Sequence, residues 1–219
     1  MSYQLPLFPL NTVLFPGAPI HLHVFEERYK GMIRMCLDEQ HPFGVVLIRH
    51  GAEALGQLAE PHTVGCTAKI INSQRLEQGR MNIVAIGQER FRILSLDSRA
   101  FPYLIGVVQP FPIEPGDSLE IARRGDRLRG QVKQLIQTQL KAPGHVLDVT
   151  TLPEDPVELA YLAASVLQIS TDQKQQLLQI VRAGDLIDRV QYIYRREQAL
   201  TESFLSHGER ESGLPFSIN

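Results

Sequence analysis

TVGCTAKIINSQRLEQGRMNIVAIGQERFRILSL, residues 63–96, consists of two extended runs around one turn. Thr63 to Leu76 and Arg80 to Leu96 are rich in the β-branched and apolar residues that suit a pleated, half-buried surface. Glu77-Gln78-Gly79 between them is turn chemistry, which predicts a hairpin. A third run, Tyr103 to Val108, follows the break at Phe101-Pro102. Long antiparallel strands with many inward apolar residues predict a curled sheet or a small barrel.

Upstream the pattern stays largely extended. Leu5 to Leu10 reads as a short edge strand, because Pro6 and Pro9 cannot donate to a ladder. Turn chemistry around Pro16-Gly17 fills Asn11 to Pro19. Ile20 to Phe25 alternates as a strand does. Glu26 to Gln40 then takes helical spacing, with Tyr29, Met32, Ile33, Cys36 and Leu37 at three- and four-residue intervals. Phe43 to Ile48 is apolar throughout, as a buried strand is.

Downstream of Pro110-Phe111-Pro112 the period becomes helical. Leu119 to Leu140 is one helix, with a stop at Ala142-Pro143-Gly144. Pro156 to Leu167 follows, with Asp155 as N-cap and proline at the first helical position. Thr171 to Val181 and Asp185 to about Phe204 complete the series, separated by Gly184. Leu186, Ile187, Val190, Ile193 and Tyr194 form an apolar stripe on the last helix, assigned to the lobe core, with a homodimer seam as its other use. Residues 1–114 are therefore expected to be a β-rich lobe, 115–205 a helical lobe and 206–219 a frayed tail.

Composition narrows the function classes. With 43% apolar and 21% charged residues in 219, wholesale disorder is excluded. A net charge of −2 argues against a dedicated nucleic-acid binder. Two cysteines, Cys36 and Cys66, make no disulfide framework and lack CxxC spacing. Cys36 falls on the apolar face of its helix and Cys66 inside a strand, as buried inert thiols do. The N-terminus has no basic region ahead of its proline-broken apolar stretch, so no secretory signal is expected. Phe43 to Ile48 is far below the roughly 20 residues that span a bilayer. A cytoplasmic protein with no membrane partner is the expectation.

The chemistry-bearing motifs are sparse. His21 and His23, two apart on a strand, share a face. That geometry can chelate a metal, but zinc takes three or four ligands and the neighbouring sequence supplies no more. No GxSxG elbow, GxxxxGK[ST] loop or GxGxxG follows a strand, and Gly-Lys never occurs. Neither cofactor nor metal is expected, and no catalytic residue is assigned. The carboxylate pairs Glu26-Glu27, Asp38-Glu39 and Glu154-Asp155 sit at helix ends, where solvation and the dipole account for them. Arg123, Arg124, Arg127 and Arg129 form a local basic cluster on the first long helix. Glu120 and Asp126 pair off part of it, leaving a solvated helix face as the first reading.

The opening segment carries the most specific pattern. Leu5-Pro6-Leu7-Phe8-Pro9-Leu10, Val13-Leu14-Phe15-Pro16-Gly17 and Leu22-His23-Val24-Phe25-Glu26-Glu27-Arg28-Tyr29 resemble the start of the Lon N-terminal domain. Small stand-alone bacterial members of that family are the most similar. Phe43 to Leu47, Val64 to Ala68, Ile86 to Phe91, Asp155 to Ala160, Asp172 to Leu178 and Leu186 to Arg196 resemble its later blocks in order. The resemblance implies an α+β fold, with a PUA-like β-rich pseudo-barrel lobe followed by an α-helical bundle lobe. It further implies substrate recognition related to the ATP-dependent protease Lon. The ATPase and Ser-Lys protease modules lie downstream in Lon and are not matched here, so no enzyme activity is expected. The expected partner is unfolded or extended polypeptide, taken in a groove between lobes or at an open sheet edge. The alternative is an RNA-binding PUA-like protein using Arg123, Arg124 and Arg127. From the residues themselves, Pro16-Gly17 is a turn, Phe25 and Tyr29 bridge strand end and helix start, and Arg28 is free to pair with a sheet carboxylate.

Overall fold

The computed structural model describes residues 1–51, 59–139 and 152–211. In chain order the elements are β1 (Tyr3–Leu10), β2 (Pro19–Val24), α1 (Glu27–Asp38), β3 (Phe43–His50), β4 (Glu60–Pro61), β5 (Val64–Arg75), β6 (Met81–Asp97) and β7 (Leu104–Pro110). Four helices follow: α2 (Ser118–Gln139), α3 (Pro156–Val166), α4 (Thr171–Leu178) and α5 (Ala183–Glu211). The sequence reading recovered every one of these except β4, a two-residue strand.

Five of the strands close into a ring. Neighbours run β1-β7-β6-β5-β3, and β3 returns to β1 through a parallel pairing from Leu7–Gly44 to Leu10–Leu47. β1 is therefore not the edge strand that its prolines suggested. Its first half pairs with β7, from Tyr3–Val108 to Leu7–Leu104, and its second half with β3. Each neighbour needs only part of the strand, so two missing N–H groups are tolerated. Leu5, Leu7, Val46, Phe91, Leu104 and Val108 fill the ring as a cluster of their own. The bore is narrow: a Cβ on Gly44 would stand 2.7 Å from Leu7 and Phe91, and one on Gly65 would stand 2.5 Å from the Val45 carbonyl oxygen.

β6 outruns the barrel. Its second half pairs with β7, while Met81–Ile86 carries β2 on one side and β5 on the other. The strand changes partner at Gly87, whose N–H donates to the Ala18 carbonyl (2.9 Å) and whose carbonyl accepts from Gly17 N–H (2.8 Å). A Cβ there would lie 2.2 Å from the Phe15 carbonyl oxygen, so the corner requires glycine. The resulting wing of β2, β6 and β5 buries Val24, Met81, Ile83 and Ala85 against Tyr29, Met32, Ile33 and Cys36 of α1. Lys30 fastens the far end. Its ammonium donates to Glu27 (2.6 Å) and to the Gln78 carbonyl (2.8 Å) in the β5–β6 turn.

The helices bury one another and the barrel flank. Leu186, Ile187, Val190, Ile193 and Tyr194 are all buried, which places the α5 stripe in the core. Asp155 caps α3 by accepting from the Val157 and Glu158 N–H groups (2.8 and 2.9 Å). α4 begins at Thr171, where the sequence reading placed it, behind a capping box of Ser170 and Gln173. It ends at Leu178 rather than Val181, because the next residues are drawn onto the segment that links β7 to α2. Glu114 N–H donates to the Val181 carbonyl (2.7 Å), and Ala183 N–H donates to the Glu114 carbonyl (3.0 Å). α5 runs past Phe204 to Glu211. The helix stop at Ala142-Pro143-Gly144 lies outside the described residues.

Candidate functional site

β2 is an open edge. Among the described residues it pairs with β6 alone, in a register from Pro19–Ile86 to Val24–Met81. The hydrogen bond from Gly87 to Ala18 sets the phase of this antiparallel ladder. Alternation then turns the main-chain groups of Ile20, Leu22 and Val24 toward β6 and those of His21 and His23 outward. Pro19 at the strand start has no N–H to offer, as is common on edges.

A cavity of about 440 Å³ lies against this edge, lined by Phe8, Leu10, Leu22, Val24, Phe25 and Tyr29, with His21, His23 and Glu26 at its rim. All of these but His21 come from two of the three opening blocks that carried the family pattern, so those two blocks meet at one place in the fold. Phe8 and Tyr29 stack with centroids 4.1 Å apart and form the floor. Tyr29 thus packs on β1 instead of bridging to Phe25. Phe25 is 47% exposed, and its ring stacks 6.0 Å from that of His23.

The charges at the rim are already paired. Arg28 Nη2 stands 2.9 Å from Glu26 Oε2, and Nε donates to the same oxygen at 3.0 Å. The sheet carboxylate expected for Arg28 is replaced by this neighbour two residues away, and the guanidinium lies 4.7 Å above the Tyr29 ring. What remains is an apolar hollow beside unpaired main-chain groups. A second concavity, of about 420 Å³, lies on the other face of β2 among His21, His23, Asn72, Gln74, Asn82 and Val84. There His23 Nδ1 stands 2.7 Å from Asn82 Oδ1. Among the described residues no three of His, Cys, Asp and Glu gather as metal ligands.

The basic cluster of α2 is not one surface. Arg124 is held by Glu120 (3.1 Å) and by Asp188 of α5, and Glu120 and Asp188 raise its already high pKa. Arg129 donates to the carbonyls of Pro153 (2.6 Å) and Glu154 (3.2 Å). Arg123 and Arg127 are the two exposed members.

Both thiols are buried, and burial pushes each up to about 12. Sequence reasoning missed two buried cations, Lys30 of α1 and Arg90 of β6. Arg90 of β6 is 3% exposed and donates to the carbonyls of Leu178 (2.8 Å) and Ile180 (2.5 Å). Its Cζ lies 4.7 Å from the Phe111 ring centroid and 5.8 Å from that of Tyr161. A third hollow, of about 530 Å³, lies where the segment linking β7 to α2 meets α2, α3 and α5, among Ile113, Ile121, Pro156 and Val157. No helix among the described residues is long and apolar enough to cross a membrane.

Comparisons with known proteins converge on one family. Residues 4–196 match the model for the ATP-dependent protease La (LON) substrate-binding domain. The Lon protease of Anaeromyxobacter dehalogenans is 26% identical over 181 residues, 81% of this chain and 21% of that protein. Lon protease 2 of Myxococcus xanthus is 26% identical over 81% of this chain and 22% of its own length. The chain thus spans about a fifth of the length of these relatives. Among solved structures, a Lon N-terminal domain protein from Xanthomonas campestris aligns with a TM-score of 0.63 at 25% identity, over 86% of this chain and 96% of that one. The N-terminal domain of the Mycobacterium avium complex Lon protease aligns with a TM-score of 0.67 at 19% identity, over 88% and 97%.

Proposed function

The chain belongs to the LON substrate-binding domain family, and on that premise we propose that it is a non-catalytic, cytoplasmic polypeptide-binding module that takes extended apolar segments of unfolded chains. The segment adds as a strand to the outer edge of β2. Main-chain hydrogen bonds to His21 and His23 supply affinity, as in other strand-addition complexes. Side chains on the inner face of the added strand enter the hollow floored by Phe8 and Tyr29. One observation carries the reading: among the described residues the outer edge of β2 is unpaired, and it lies directly against an apolar cavity whose charged lining residue, Glu26, is paired with Arg28. Within this reading the β-rich lobe, residues 1–114, is PUA-like and supplies the binding edge. The helical lobe, residues 115–205, buttresses the barrel flank through Arg90 and Gln175.

The test is fluorescence anisotropy of a labelled, permanently unfolded polypeptide titrated at low and high salt. Saturable binding that persists at high salt supports apolar capture. Absence of binding across a wide concentration range removes the proposal.

The nucleic-acid alternative rests on Arg123, Arg124 and Arg127, of which Arg124 is already engaged by two carboxylates. RNA binding through the remaining two would weaken steeply with salt. Replacing Arg123 and Arg127 together tests it without disturbing the bridge between α2 and α5. An RNA affinity unchanged by that replacement rules the patch out.

A further inference from the structure

We propose that β2 carries half of a transition-metal site, completed when a second copy of this chain pairs along the same edge, so that His21 and His23 of both copies hold one divalent ion. This goes beyond polypeptide capture and stands on different atoms.

The half-site is built. His21 and His23 are exposed on one face of a regular strand, since their neighbours Ile20, Leu22 and Val24 turn inward. His23 is also oriented. Its Nδ1 lies 2.7 Å from Asn82 Oδ1, directly across the ladder on β6. An amide oxygen only accepts, so Nδ1 carries the proton and Nε2 keeps its lone pair. With Nδ1 committed to Asn82 on β6, Nε2 is the ring nitrogen left to ligate a metal. An outer partner on the far imidazole nitrogen is how proteins set ligand histidines.

The ligand count requires a partner. Zinc and its neighbours accept imidazole, and a closed zinc site takes four ligands. One chain offers two here, and among the described residues no larger group of candidate ligands assembles. A twofold axis through Leu22 supplies the rest. Because the main-chain groups of His21 and His23 face outward, an antiparallel copy sets His21 opposite the partner's His23 in a hydrogen-bonded pair, and His23 opposite the partner's His21. Both pairs fall on the same face, with opposed Cβ atoms about 5.5 Å apart. Four imidazoles then surround one point.

The pairing is also self-limiting. The next outward position beyond His21 is Pro19, which cannot donate, so the shared ladder stays short. So short a two-stranded contact is marginal by itself in water. The metal is what makes it stable, and an isologous contact closes at two copies.

Zinc chloride added to the full chain is the probe, with sedimentation velocity and calorimetry as readouts. One zinc bound per two chains and a doubled mass are expected, both reversed by EDTA. His21→Ala and His23→Ala should each abolish dimer and stoichiometric binding. Asn82→Ala should weaken zinc affinity about tenfold or more. Because the substituted positions are exposed, circular dichroism should show unchanged folding. One zinc per chain without a mass change overturns the proposal. So does a dimer that persists in EDTA or in the double histidine variant. Polypeptide binding is measured in EDTA, where the edge is free, so either idea can fail while the other stands.

Discussion

Arg90 Nη1 donates to the carbonyl oxygen of Leu178 at 2.8 Å, so a cation from the barrel strand β6 closes the C-terminal end of helix α4. The same nitrogen reaches the Ile180 carbonyl at 2.5 Å. Among the described residues no carboxylate pairs with the guanidinium. Its charge faces the negative end of the α4 dipole and the rings of Phe111 and Tyr161. The contact binds the two halves of the chain across 88 residues of sequence.

Removing that cation leaves the buried Leu178 carbonyl and the part-buried Ile180 carbonyl without this donor. Arg90→Met, which keeps much of the stem volume, should cost about 2–4 kcal/mol, combining lost charge-assisted bonds with unpaired acceptors. Arg90→Lys should cost less but not nothing, since one ammonium cannot reproduce the planar fork between two rings. Urea unfolding monitored at the tyrosines measures both. A wild-type midpoint in Arg90→Met would mean the halves are held by apolar packing alone.

Two glycines should respond in opposite directions to the same methyl group. Gly65→Ala forces a Cβ to within 2.5 Å of the Val45 carbonyl and 2.7 Å of Phe91 inside the closed barrel. A loss of about 2 kcal/mol or more follows, as for other overpacked cores. Gly31 lies inside α1 with open space around its Cβ position. Gly31→Ala should add about 0.5–1 kcal/mol through helix propensity. Thermal melts of the pair, with wild type between them, check both signs.

Much of this architecture was legible because its signals are local. The hairpin of β5 and β6, the helical spacing of α1 and the Asp155-Pro156 start of α3 each depend on a few adjacent residues. Their observed bounds lie within about two residues of the sequence reading. What was not legible depends on distant partners. Pro6 and Pro9 suggest an edge, yet β1 sits between β7 and β3 because ring closure divides its two sides between neighbours. Thr171 to Val181 keeps a helical pattern, but pairing with Glu114 draws the last turn off the helix. Arg90 looks like one more strand charge until α4 arrives to cover it. The binding edge was half legible. The pattern blocks were recognised as a set, but their meeting beside one unpaired strand appears only in three dimensions.

Alkaline pH should weaken the fold. Burial pushes the Cys36 and Cys66 thiols, and the Tyr161 phenol, each up to about 12. The native chain therefore holds protons that the unfolded chain has released, so stability falls as pH rises. The thiol contribution is intact below pH 9 and lost as pH climbs toward 12. The slope is at most about 1.4 kcal/mol per pH unit for each group. Urea midpoints at a series of pH values should decline from about pH 9 in wild type. In Cys36→Ala/Cys66→Ala the decline should begin near 10, where the phenol takes over. Rapid reaction of either thiol with a disulfide reagent under native conditions near pH 8 would contradict this burial.

The edge and the hollow can be separated by two substitutions. Phe25→Ala removes a half-exposed ring that lines the cavity but leaves the ladder untouched. It should weaken binding of an unfolded polypeptide about tenfold, the order expected for one aromatic anchor. His21→Pro removes an outward N–H that β6 does not use, so the wing should keep its register while the added strand loses a hydrogen bond. Affinity should fall again, with thermal stability close to wild type. Measured in EDTA, both losses together place the client along β2. If Phe25→Ala weakens binding and His21→Pro does not, the hollow captures side chains without strand addition. If neither changes affinity, the client lies elsewhere, and the hollow lined by Ile113, Ile121 and Val157 is the next surface to alter.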